Sequence, residues 1–136
     1  MGTINKGESN MIIDTKLPLP PSKNKRRIMV RGKPFQTPAV KVYRKEVAYT
    51  LLKYKDKLPD NMKIVLDCCW YKTRSTQDVT NFHDELCDAI APALGLNDRW
   101  FLVRDIDFVV AKKTHEDYGK VWLQIYALNG VDDGSC

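Results

Sequence analysis

The chain has 136 residues, of which 43% are hydrophobic and 29% charged, and its net charge is +5. This length and balance fit one globular domain and exclude general disorder. No apolar run approaches the roughly 20 residues that span a bilayer, and residues 1–10 lack the apolar stretch of a secretory signal. The four cysteines lack metal-ligand spacing. We therefore expect a cytoplasmic protein with reduced thiols and no membrane anchor.

Two short strands are predicted in the first third of the chain. The first covers residues 11–17 and runs into the segment 18–22, where three prolines exclude both a helix and a central strand. Residues 27–31 can form a second strand, which is followed by a turn at Gly32. Residues 1–10 are polar, and we expect them to be frayed.

Two amphipathic helices are predicted next. The first begins at Thr37 and Pro38, an N-cap residue and a first-turn proline, and ends before Pro59. The second covers residues 80–94, and Pro92 should kink or shorten it before Gly95 ends it. Apolar residues three or four positions apart form the two buried stripes: Val40, Tyr43, Val47, Leu51 and Tyr54, then Phe82, Leu86, Ala89, Ile90 and Ala93.

Three further strands are predicted, over residues 62–71, 100–110 and 121–128. The polar segment 112–119 suits a hairpin between the last two. The order β-β-α-β-α-β-β predicts a single domain of the α/β (α+β) class, with one mixed β-sheet and two main helices packed on it. No glycine-rich phosphate-binding motif is present, so we expect no nucleotide cofactor.

The charge is unevenly distributed along the chain. Residues 1–60 contain 14 basic and 5 acidic residues, a net of +9, whereas residues 61–136 contain 8 and 12, a net of −4. The basic half suggests a polyanionic partner. Aspartates repel phosphates unless a cation lies between them. The combination therefore favours a metal-dependent enzyme acting on nucleic acid over a simple nucleic-acid-binding protein.

The segment 78–88 is dense in carboxylates and lies where a predicted loop leads into the second helix. Asp98 follows that helix and can approach Asp78 only if the chain folds back. Taken singly, each acid can also be a helix cap, a turn residue or a solvated surface group, and His83 is interpreted as a polar surface histidine. Helical spacing places three polar residues on one face: Asn81, Asp84 and Asp88.

Five short motifs follow one another within residues 11–128: the Pro-Pro-Ser-x-Asn turn in 17–24, Tyr43-Arg44, the basic loop with Lys72 and Arg74, Asp78-x-x-Asn81 with Asp88-Ala89-Ile90, and Gly95-Leu96-Asn97-Asp98. Together they resemble the motifs of RusA-type Holliday-junction resolvases, small endodeoxyribonucleases of bacteria and their prophages. The resemblance covers nearly the whole domain and leaves residues 129–136 as a polar tail. It implies an enzyme that resolves four-way DNA junctions in recombination and repair, works as a homodimer and uses Mg²⁺ or Mn²⁺.

The resemblance also implies roles for individual residues. Asp78 and Asp98 are expected to be catalytic metal ligands, because Mg²⁺ prefers carboxylate oxygens. Asp84 is expected to be a third, on the separate hypothesis about the departures from the family pattern given below. Lys72 and Arg74 are expected to be catalytic through contacts with the scissile strand or a neighbouring phosphate. The residues expected to contact the metal ligands are Thr80, Asn81 and Asp88. The residues expected to hold the duplex arms, mainly through phosphate contacts, are Lys23, Asn24, Lys25, Arg26, Arg27 and Arg44.

Two departures from the family pattern bear on activity. Thr80 stands where the family usually has a second metal-binding carboxylate, and Asp84 stands where it usually has a lysine. We favour the hypothesis that Asp84 supplies the missing carboxylate from the next helical turn. The alternative is a degraded metal site in a protein that binds branched DNA without cutting it. A third interpretation, an unrelated structural domain, is supported only by the ordinary composition.

Overall fold

The computed structural model describes residues 11–22, 27–59 and 61–128. Three short 3₁₀ segments, Leu52–Tyr54, Val79–Phe82 and Asp98–Trp100, flank the two helices. The helices are α1 (Pro38–Leu51) and α2 (His83–Leu94). The strands are β1 (Ile12–Pro18), β2 (Arg27–Val30), β3 (Lys33–Gln36), β4 (Ile64–Lys72), β5 (Phe101–Val110) and β6 (Lys120–Ala127).

Four of the strands form a mixed sheet in the order β1-β6-β4-β5. Strand β6 is antiparallel to both β1 and β4, whereas β4 and β5 are parallel. Strands β2 and β3 form a separate hairpin, and positive φ angles at Arg31 (52°) and Gly32 (80°) give its two-residue turn the twist that hairpins favour. The predicted α+β class, with a mixed sheet and two main helices, is confirmed.

The predicted hairpin between β5 and β6 is wrong, because β4 lies between these strands in the sheet. The connecting loop is attached to the end of β4 instead of turning tightly. The Ala111 amide donates to the Lys72 carbonyl and the Gly119 amide to the Tyr71 carbonyl, at 2.9 and 3.1 Å. Backbone groups at both ends of the loop are satisfied in this way, so the loop passes over the end of β4 and delivers β6 to its other side.

The hydrophobic core lies between one face of the sheet and the two helices. The alternation predicted for the strand that became β4 is confirmed at Leu66, Cys68 and Trp70, which are all buried. The helix stripes are buried as well, with the larger side chains at Val40, Tyr43, Val47, Leu51, Phe82, Leu86 and Ile90. Within the described ranges, no helix is long and apolar enough to cross a bilayer.

Helix α2 ends at a glycine cap. Pro92 lies inside the helix, which continues only to Leu94. Gly95 has a φ of 73°, and the Leu96 amide donates to the Ala91 carbonyl at 2.9 Å. This is the Schellman arrangement, in which a residue in the left-handed region ends the helix. It confirms the predicted end of the helix.

Replacement of Gly95 by Ala should destabilise the fold more than the same replacement at Gly32. Both glycines have positive φ angles, 73° and 80°. A left-handed conformation costs an L-residue about 1–2 kcal/mol. A Cβ at Gly95 would in addition collide with the Asp56 carboxylate, whereas one at Gly32 would meet open space. Urea unfolding of the two variants measures the difference, and equal losses would mean that Asp56 moves aside without cost.

Candidate functional site

A cavity of about 300 Å³ opens beside the loop that joins β4 to α2. Its lining includes Ser22 from the proline-rich segment, Arg74 from the basic loop, and Asp78 and Asn81 from the acidic motif. These residues come from three motifs that lie up to 59 positions apart between Ser22 and Asn81. The fold therefore brings together side chains that the sequence analysis selected separately.

Asp78 is held by Thr80. Its Oδ1 accepts hydrogen bonds from the Thr80 amide at 3.0 Å and from the Thr80 hydroxyl at 2.7 Å, which caps the first 3₁₀ turn. These two bonds, with smaller contributions from Lys72 and His83, hold the pKa of Asp78 below its usual value. Asp78 is therefore fully ionised at neutral pH, and Thr80 fixes the orientation of its carboxylate.

Lys72 and Gln77 hold the loop itself. The Gln77 side-chain oxygen accepts the backbone amides of Thr73 and Arg74 at 2.8 and 3.3 Å. Lys72 is only 9% exposed, and its ammonium donates to the Ser75 carbonyl at 3.3 Å. Lys72 thus braces the loop beside Asp78, while Arg74 is exposed at the cavity. The phosphate contacts predicted for both residues stay predictions.

His83 lies on the same side of α2 as the sheet, and it bonds Asp105 of β5. Its Nε2 is 2.9 and 3.0 Å from the two carboxylate oxygens, and the Trp70 indole also donates to Oδ1 at 2.7 Å. The His83 ring further stacks near Trp70, with centroids 6.1 Å apart. Partial burial and these contacts make His83 more than a simple surface histidine. A carboxylate on Nε2 favours the tautomer that keeps its proton there and leaves Nδ1 as the acceptor.

Arg44 bonds the buried carboxylate of Glu85. Its Nε and Nη2 donate to the two Glu85 oxygens at 2.7 and 3.0 Å, and Nη2 also lies 3.8 Å from Asp88. Glu85 is 3% exposed, so this fork-like pair satisfies a charge that would otherwise be costly to bury. The pair joins α1 to α2. It gives Arg44 a structural role beside the DNA contact predicted for it.

Three acids gather on the other side of α2, around Cys87. Partial burial first, and then the nearby carboxylates of Asp98, Asp88 and Asp84, raise the pKa of the Cys87 thiol to about 12. Partial burial raises the pKa of Asp88, against the attraction of Arg44, and nearby Glu85, Asp98 and Asp84 raise it further. Asp88 and Asp98 also line a second cavity of about 550 Å³. Asp84 thus acts electrostatically on Cys87 and Asp88, on the side of α2 that Asp98 also approaches.

The structure does not gather the three predicted metal ligands into one group. Within the described residues, no three His, Cys, Asp or Glu side chains are close enough together to hold a metal ion. Asp78 follows the end of β4 and lines one cavity, whereas Asp98 precedes β5 and lines the other. Helix α2, which lies between them, is about 18 Å long. Their shared role as ligands stays a prediction.

Several predicted DNA contacts cannot be placed. Lys23, Asn24, Lys25 and Arg26 lie outside the described residues, and Arg27 begins β2. Of the side chains predicted to hold the duplex arms, only that of Arg44 is among the described residues. The cationic segment next to the proline-rich turn therefore remains a sequence-based prediction.

Two site residues were missed by the sequence analysis, although each had a signal. Glu85 lies three residues after Phe82 and four before Ala89, both of which belong to the predicted apolar stripe. Asp105 alternates with Phe101 and Val103 and so shares their inward face. A charged side chain on a buried face needs a partner. An acid within an apolar pattern was therefore the feature from which a bonded pair could have been predicted.

No protein-family model matches the chain, and a search of curated proteins finds no match.

Replacement of Asp88 by Asn should raise the melting temperature at pH 7 by about one or two degrees. The raised pKa of Asp88 means that its ionised form costs stability in the folded chain above that pKa. The gain should shrink as the pH falls toward the ordinary value of 3.8, because both states are then protonated. Thermal unfolding between pH 4 and pH 7 measures it, with the exposed Glu46→Gln on α1 as control. A melting temperature lowered at pH 7 would show that attraction to Arg44 outweighs the repulsion.

Proposed function

We propose that the protein is a metal-dependent endodeoxyribonuclease that resolves four-way DNA junctions as a cytoplasmic homodimer. The observation that carries the proposal is the cavity beside Asp78. Ser22, Arg74 and Asn81 line it together with Asp78, and these residues belong to three of the motifs on which the resemblance to RusA-type resolvases rests. An ionised acid beside an exposed arginine in a cavity is suited to a phosphodiester held next to a cation.

The surrounding residues supply binding and orientation. Arg74 is exposed at the cavity and can donate two hydrogen bonds to one phosphate. Thr80 fixes the Asp78 carboxylate through Oδ1, so Oδ2 is the oxygen with no hydrogen-bond partner among the described residues. Lys72 and Gln77 keep the loop in shape through backbone bonds. The site is therefore preorganised before DNA arrives.

The oxygen atoms near Asp78 are ligands of the kind that Mg²⁺ and Mn²⁺ prefer. They do not fill the coordination shell, so the substrate would supply further ligands. Mg²⁺ is usually bound by one or two carboxylates together with waters and substrate phosphates, so a site of three carboxylates is not required. Asp78 would hold the ion. Asp84, the second carboxylate predicted from sequence, lies on the side of α2 that carries Asp88, so waters and substrate phosphate would supply the other ligands. A divalent cation there would activate water and offset the negative charge that develops on the phosphate.

His83 is the proposed general base near Asp78. Asp105 holds its Nε2, so Nδ1 remains the acceptor, and electrostatic interaction with His83 helps lower the pKa of Asp78. A histidine oriented by a carboxylate is a common general base. The His83–Asp105 pair adds to the proposed site two residues for which the sequence analysis predicted no catalytic role.

A second candidate function is binding of branched DNA without cleavage. The favouring observation is Thr80, because its two hydrogen bonds occupy an oxygen of Asp78 that a metal ion would use. The separation of Asp78 from Asp98 into two cavities points the same way. The two functions differ in one result, the appearance of cut strands.

A synthetic four-way junction with Mg²⁺ or Mn²⁺ should be cut by the wild-type chain and not by the Asp78→Asn variant. The amide keeps the shape and the bonds from Thr80 but loses the charge that holds the cation, so the variant should bind the junction as tightly as wild type or more tightly. Denaturing gels measure cutting, and mobility shifts measure binding. Glu46→Gln serves as the control. Binding without cutting by the wild type, in either metal, would leave the second candidate function.

Asp84→Asn tests Asp84 as the second metal ligand, and Asp105→Asn tests His83 as the general base. If Asp84 is the second metal ligand, its variant should lose at least about a hundredfold in cutting rate, and more Mg²⁺ should restore part of it. Asp105→Asn should lower the rate about 10²–10⁴-fold and change its pH profile, because it alters the orientation of His83. Single-turnover rates between pH 6 and pH 9 measure both. Unchanged rates in Asp84→Asn would make this residue a solvated helix acid, and an unchanged pH profile in Asp105→Asn would remove His83 from the reaction.

A further inference from the structure

A groove of about 610 Å³ adjoins the cavity at Asp78 and shares residues with it. Ser22, Arg74 and Gln77 line both. Most of the other residues that line this proline groove are apolar, and they include Pro18, Leu19, Pro21, Pro38, Ala39 and Val42. The cavity and the groove therefore meet at three polar side chains, with an acid on one side and apolar walls on the other.

The walls of the proline groove are held in place by the fold. One wall is the segment 18–22, whose prolines fix their own φ angles and whose Leu19 amide donates to the Gly119 carbonyl at 3.0 Å. The other is the start of α1, which begins at Pro38 and carries Val42, 63% exposed. A preformed apolar groove of this volume is within the range of small-ligand sites, roughly 300–1,000 Å³.

Gln77 adds a fixed polar group where the groove meets the cavity. Its Oε1 accepts the backbone amides of Thr73 and Arg74, at 2.8 and 3.3 Å. Because two donors point at this atom, it must be the oxygen, and the other branch of the side chain must be the NH₂ group. That group has no hydrogen-bond partner among the described residues. Every nucleobase has acceptor atoms on its edge, so this amide can bind the edge of any base.

We propose that the proline groove receives one nucleobase of the DNA, turned out of its stack, while Arg74 holds the phosphate of the same nucleotide beside Asp78. The flat apolar faces of the base would pack between the proline-rich segment and Val42, and its polar edge would meet Gln77. This subsite rests on the proposed function, because its ligand is part of the same DNA substrate.

The position of Arg74 favours a nucleotide over other apolar ligands. An apolar groove alone would also suit an apolar peptide side chain, but this groove shares an exposed guanidinium with the cavity of an ionised acid. A nucleotide carries an anion and a flat ring system one sugar apart, which matches that arrangement. At the crossover of a four-way junction the stack is interrupted, so a base there is less costly to turn out than one in a continuous duplex. The subsite would therefore favour branched DNA without reading its sequence.

Fluorescence of 2-aminopurine, an adenine analogue that is quenched when stacked, tests the subsite in the full chain. Junctions carry it at each position next to the crossover in turn, without divalent metal, so that no strand is cut. With wild type, one position should brighten at least about threefold. Ala39→Phe, which fills the groove from an exposed position of α1, should abolish the increase. Ala48→Phe, the same change at another exposed position of α1, is the matched control and should retain it.

No brightening at any position, or the same brightening in Ala39→Phe as in wild type, would overturn the proposal. An abasic nucleotide then tests whether the base is what the groove receives. Ala39→Phe should bind the unmodified junction at least about tenfold more weakly than wild type, and equally well once the brightening position lacks its base. A defect that persists on the abasic junction would also overturn the proposal, because the phenylalanine would then obstruct something other than a base.

Cutting in Mg²⁺ separates the subsite from the proposed function. A wild-type chain that turns the base out but does not cut the junction would leave the subsite standing and remove the nuclease. A chain that cuts the junction without any brightening would do the reverse.

Discussion

The parallel pairing of β4 and β5 is the constraint on which the rest of the structure depends. Parallel neighbours cannot be joined by a tight turn, so the chain must return along the sheet before it begins the second strand. Residues 73–100 make this return, and α2 is its main part. The first loop of the crossover forms the cavity at Asp78. The helix carries Glu85 to Arg44, and the second loop carries Asp98. This single connection therefore places Asp78 and Asp98 at opposite ends of α2.

The pairing of β4 with β5 also explains why Asp105 and His83, which the sequence analysis did not select, lie close to the site. Register with β4 sets Asp105 beside Trp70, and the start of the crossover helix brings His83 to the same carboxylate. It also makes β5 an edge strand, because the other side of β4 is taken by β6. Asp105 of the proposed catalytic pair thus lies on an edge strand, whereas His83 reaches it from the start of α2.

Local features of the fold could be predicted from the sequence, and long-range partners could not. Pro38 and Gly95 marked helix ends because the backbone conformations that these two residues favour are local, and alternation in β4 marked its buried face. Sheet order depends on which strands meet, and a polar nine-residue connection fits a hairpin as well as a crossing over β4. The cavity could not be foreseen either, since Ser22 and Asp78 are joined only by folding. The buried Glu85 and the half-buried Asp105 were visible as exceptions to apolar patterns, but their partners were not.

The most direct test of the central claim asks where a divalent ion lies when DNA is bound. Amide spectra of the ¹⁵N-labelled chain on a cleavage-resistant four-way junction can be compared in Mg²⁺ and in paramagnetic Mn²⁺, which broadens signals near the ion. We predict broadening centred on residues 76–84, with weaker effects around Asp105. Broadening centred on residues 95–98, or none that is specific, would contradict a metal-dependent site at Asp78.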